Sequence, residues 1–199
     1  MPPFVSESAI PRQRPVTRDD ETLVRAIYPV LMDVVRRKSS ITYTNLVLAV
    51  RERCPEPEHP IYRQKPRHLG RRLETLRLFT APRGYPDMTC VVVTGGTGLP
   101  PEAYDDPASE AAKVAAFEWP AVEEELALQC DDWRREAASI VPLEEAGAVA
   151  VMAKFCRDNP GVYEPGISAF RKEIIAELMA GANVVDIFAV LNRELRAAG

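Results

Sequence analysis

Apolar residues recur at helical spacing along most of this chain. In "DDETLVRAIYPVLMDVVRRKS", Leu23, Ile27, Leu31 and Val34 share one face, the kind of stripe that a helix buries. Acids open the segment and Arg36, Arg37 and Lys38 close it, as the helix dipole favours. Pro29 lies inside and predicts a kink or a division, because proline lacks an amide hydrogen and crowds the preceding turn. "SSITYTNLVLAVRERC" follows, with Thr42 or Thr44 as N-cap and Leu46, Val47 and Val50 as a short buried face. Pro55, Pro57 and Pro60 make "CPEPEHP" a loop. A second short helix is expected from about residue 66 to 79, with Pro66 in its first turn. Its apolar stripe is Leu69, Leu73, Leu76 and Phe79.

"MTCVVVT" reads as a strand, β-branched and bounded by the glycines of "GGTG". Residues 108–138 read as helix broken around Trp119-Pro120, and the last sixty residues as wholly helical. Asn183 and Asp186 form a cap pair for the final helix. The fold class expected is therefore mainly α with a small β component, a winged-helix-like domain followed by an acidic helical C-terminal domain. The divisions are a flexible arm at 1–18, a winged-helix-like nucleic-acid-binding domain at 19–100, an acidic helical connector at 101–140 and a C-terminal helical bundle at 141–199.

Charge sharpens this picture. The chain carries a net charge of −4, but residues 1–99 hold 16 Lys+Arg against 10 Asp+Glu, or +6, and residues 100–199 hold 9 against 19, or −10. Such a division points to nucleic acid or to oppositely charged partners. The densest basic stretch is "RQKPRHLGRRLETLRLF", residues 63–79. From 63 to 83 there are seven Lys+Arg and one acid, Glu74. Arginine forks grip phosphate oxygens well, so two short helices, a turn and a strand with this charge suit a DNA-facing second helix.

"ITYTNLVLAV", "PRHLGRRL" and "YPDMTCVVVTGGTG" together resemble the DNA-binding half of the alkylguanine-DNA alkyltransferases and alkyltransferase-like proteins, over about residues 41–98. The resemblance implies that Tyr43 is the phosphate-side tyrosine, that Arg67 fills the space of a flipped base, and that Gly70 lets its helix approach the backbone. It also implies a departure. The enzymes of that family carry a Pro-Cys-His-Arg loop, whereas here "DMTCVVVTGG" follows Cys90 with neither His nor Arg. A thiol without a neighbouring base or cation is a poor nucleophile, so no catalytic residue is expected.

Other motifs reduce to ordinary structure. "GGTG" lacks the Lys-Ser/Thr of a phosphate loop and reads as a turn, the wing. Cys54, Cys90, Cys130 and Cys156 form no C-x-x-C pair, and with only His59 and His68 they offer no zinc set. No cofactor is expected. Trp119 and Trp133 stand among acids and read as core or interface anchors. Residues 102–145 hold thirteen acids against three Lys+Arg, a surface for self-association or for a basic protein.

The absence of any run of eighteen apolar residues argues against a membrane span, and a start without an apolar leader core points to the cytoplasm. The expectation is a non-enzymatic protein that contacts duplex DNA through Arg63, Lys65, Arg67, His68, Arg71, Arg72 and Arg77, with Tyr43, Thr44 and Gly70 at the backbone. It is a dimer or a partner-binding protein through its acidic half. Two alternatives are an adaptor or inhibitor that keeps the winged helix as scaffold, and an alkyltransferase-like repair protein acting through Cys90.

Overall fold

A computed structural model describes residues 16–100, 104 and 106–198. It is mainly α with a small β component. Helix α1 (Arg18–Arg36) opens with a capping box: the Asp20 amide donates to Thr17 Oγ1 at 3.2 Å, and the Thr17 amide donates to Asp20 Oδ2 at 3.0 Å. Val16 and Thr17 are already buried. Residues 16–18 of the expected 1–18 arm are thus part of the folded chain, and the rest of the arm, with Arg12 and Arg14, lies outside the described residues. Pro29 does not divide α1. It is exposed, so the carbonyl one turn earlier that loses its helical donor can be hydrated.

Leu23, Ile27 and Leu31 of α1 lie in the middle of the first core. Helix α2 (Tyr43–Arg53) adds Leu46, Val47 and Val50, and its N-cap is Thr42, whose Oγ1 accepts the Asn45 amide at 3.2 Å. Helix α3 (Leu69–Thr80) adds Leu69, Leu73, Leu76 and Phe79, the whole expected stripe.

The expected strand at 88–94 needs correction. Met88–Val91 forms a 3-10 turn. Asp87 winds it, its Oδ1 accepting the Thr89 amide at 2.9 Å. Only β2 (Val92–Val93) is extended, and it pairs in parallel with β1 (Ile41–Thr42), Ile41 opposite Val92 and Thr42 opposite Val93. Parallel pairing needs a long crossover, which α2 and α3 supply. "GGTG" closes a tight turn, with the Thr94 amide donating to Leu99 O at 2.9 Å and the Gly98 amide to Thr94 O at 3.0 Å.

Helices α4 (Pro107–Ala116) and α5 (Glu123–Ala138) flank a 3-10 turn at Trp119–Val122, the break expected at Trp119-Pro120. They form a wall of the first core, not a bare connector, because Val114, Trp119, Val122, Leu126, Cys130 and Trp133 are buried in it. Arg25 of α1 and Arg134 of α5 both hold the fully buried Glu21, which fastens α5 to α1.

Helices α6 (Glu145–Asp158), α7 (Arg171–Met179) and α8 (Val184–Ala198) build a second core around Ala148, Ile174, Leu178, Phe188 and Leu191. The Asn183 side chain caps α8 by accepting the Val185 amide at 2.8 Å. Gly181 makes the α7–α8 turn at φ +88°, and a Cβ there would collide with Ile140 Cγ2, so this turn requires glycine. Among the described residues the two cores share no member.

Candidate nucleic-acid interface

The basic segment is shaped by three short pieces. A 3-10 turn at Pro60–Arg63 is capped by His59, whose Nδ1 accepts the Ile61 amide at 3.2 Å. A second turn, Pro66–His68, then leads directly into α3. Because the stripe of α3 is committed to the first core, the residues just before it and on its first turn face α7.

There the cations find carboxylates. Lys65 Nζ and His68 Nε2 both engage Glu173, the latter at 2.8 Å. Arg71 reaches Asp20 Oδ2 at 3.2 Å and Glu177 Oε2 at 3.0 Å. Arg72 pairs with Asp20 and reaches Glu177 Oε1 at 2.9 Å. Arg63, largely exposed, reaches Asp19 Oδ2 at 3.0 Å.

Arg72 is only 2% exposed. Burial pulls its guanidinium pKa down, but Asp20, Glu177 and Asp19 more than reverse this, and the net shift is upward. The group stays charged inside the fold. It is therefore not a surface phosphate fork in this conformation, and the same pairing covers most of Arg71.

Arg77 belongs to a different constellation. Its Nε donates to Asp87 Oδ2 at 2.8 Å and to Thr89 Oγ1 at 3.0 Å, and its Nη2 donates to Tyr104 Oη at 2.7 Å. It anchors the 3-10 turn that precedes β2. Tyr43, partly buried, and Thr44, exposed, open α2, which packs beside the Pro66–His68 turn. Among the described residues, and leaving aside its chain neighbours and the backbone of its own helix, no atom lies within 4 Å of a Cβ built on Gly70. The Arg67 side chain lies outside the described residues.

The structure thus brings Arg63, Lys65, His68, Arg71 and Arg72 together and sets Arg77 apart. Sequence reasoning missed the carboxylates that meet them: Asp19, Asp20, Glu173 and Glu177. A signal existed for the last two, since acids four residues apart share a helix face. A cavity of about 460 Å³ opens beside these pairs, with Gln64, His68 and Arg71 on one side and Ile174, Ile187 and Leu191 on the other.

Cys90 is 4% exposed. Burial first, then Asp87 and Glu110, push its thiol up to about 12 against the opposing pull of Arg77, so little thiolate exists near neutrality. Among the described residues no group of three or more His, Cys, Asp or Glu side chains is arranged to hold a metal ion, and no helix is long and apolar enough to cross a membrane. No protein-family model, no curated protein and no solved structure matches the chain.

Proposed function

We propose that the chain is a nucleic-acid-binding protein whose contact surface is the basic segment 63–72. One observation carries this reading: Lys65, His68 and Arg71 converge on two carboxylates that stand one helical turn apart, with the buried Arg72 backing the second of them. Side chains that already hold a row of oxyanions are arranged to hold phosphate oxygens, with guanidiniums supplying paired donors. Arg63 extends the cationic row, Arg67 adds a further charge to the same stretch of sequence, and Thr44 and Tyr43 flank it from the start of α2.

The test is fluorescence anisotropy of the full chain on a labelled duplex of about 30 base pairs across a salt series. Binding should weaken linearly in log–log terms with salt, and Arg63→Ala together with Arg67→Ala should reduce the slope by about 2, roughly one for each phosphate that the variant no longer neutralises. A slope unchanged in the double variant would sink the assignment.

A second reading is favoured by the neutralisation of Arg71, Arg72 and Arg77 inside the fold. The helices would then be a scaffold, and the chain an adaptor acting through protein contacts. This reading expects no duplex binding at any salt concentration.

A further inference from the structure

We propose that the C-terminal helical unit is an autoinhibitory cover, in which Glu173 and Glu177 of α7 occupy the places of two phosphates on the basic segment. The inference rests on the reading that 63–72 binds nucleic acid, and it concerns how that site is controlled. The two acids lie four residues apart, about 6 Å along the helix axis, and each is held by two basic side chains. Glu173 takes Lys65 and His68, and Glu177 bridges the Arg71 and Arg72 guanidiniums at 3.0 and 2.9 Å.

The kind of contact matters as much as its geometry. The covering unit has its own core, complete without the first, so it can move away without unfolding. Its junction with the basic segment is made of ion pairs, which an incoming polyanion can replace one for one. The cavity of about 460 Å³ beside the pairs leaves the joint incompletely packed.

The charge balance is consistent with a switch. Around the joint, Arg63, Lys65, Arg71 and Arg72 are matched by Asp19, Asp20, Glu173 and Glu177, four against four. Withdrawing the two acids of α7 leaves four cations against two carboxylates, a net +2 on a segment a few residues long. The buried pair of Asp20 with Arg72 would stay behind as part of the first core. Phosphates would therefore compete for Lys65, His68 and the outer donors of Arg71.

The test compares the full chain with its Glu173→Gln/Glu177→Gln variant on the same duplex at about 50 and 200 mM salt. The variant should bind about tenfold more tightly, a coupling of ordinary allosteric size. Equal affinity, with salt-dependent binding in both proteins, overturns the cover and leaves the binding site standing. No binding by either protein overturns the binding site and the cover with it. A second measurement needs no variant: carbodiimide labelling of side-chain carboxylates in the wild-type chain with and without duplex. Glu173 and Glu177 should label faster when duplex is bound, as their cations turn to phosphate. Unchanged or slower labelling there, at saturating duplex, also overturns the cover.

Discussion

Asp20 does three jobs within one carboxylate. It completes the capping box of α1, accepts from Arg71 and pairs with Arg72, all while fully buried. Removing one partner of a buried ion pair leaves the other charge uncompensated. Asp20→Ala should therefore cost about 3–5 kcal/mol of stability, far above the ~1 kcal/mol of a lost cap. The shift of the urea midpoint measures this, and a loss no larger than a cap's would mean that Arg72 finds another counter-charge. The inward turn of Arg72 was legible in the spacing, since it comes three residues after Leu69 and four before Leu76 and so lies inside the apolar stripe. The density of basic residues points to the surface instead. Asp20 was harder to see, because a capping acid and a core counter-ion look the same in a sequence.

At the scale of elements, the helices followed directly from periodicity, capping and proline placement. The Thr42 cap, the stripe of α3 and the break at Trp119-Pro120 all appear where local chemistry puts them. The strand did not, because β-branched composition in "MTCVVVT" competes with Asp87, and a side chain that captures an amide two residues on outweighs propensity. The turn between α7 and α8 depends on Gly181 in two independent ways, its left-handed φ and the close approach of Ile140. Gly181→Ala should destabilise the C-terminal unit by about 1–3 kcal/mol. Thermal melting followed by circular dichroism would read the loss, and an unaltered melt would show that Ile140 can yield.

For the whole molecule, the organising fact is two cores joined by charge. The sequence announced the charge division between its halves, yet it could not show that the two signs meet inside one molecule, since that depends on tertiary placement. Both tryptophans, Trp119 and Trp133, sit in the first core, while the helical signal comes from both units. Urea unfolding followed by tryptophan fluorescence and by far-ultraviolet circular dichroism should accordingly give two non-coincident transitions, with part of the helical signal lost first as the smaller second core melts. Superimposable curves would show instead that the ionic joint makes the units one cooperative body.

The polar joint has a thermal consequence. Parting two apolar surfaces raises the heat capacity, because newly exposed hydrocarbon is hydrated, and it makes the enthalpy of parting change with temperature. Here each core keeps its own apolar side chains, and what separates is mainly Glu173 and Glu177 from their cations. Opening would carry only a small heat-capacity change, so its enthalpy would vary little with temperature, and the ions around the molecule would set the balance.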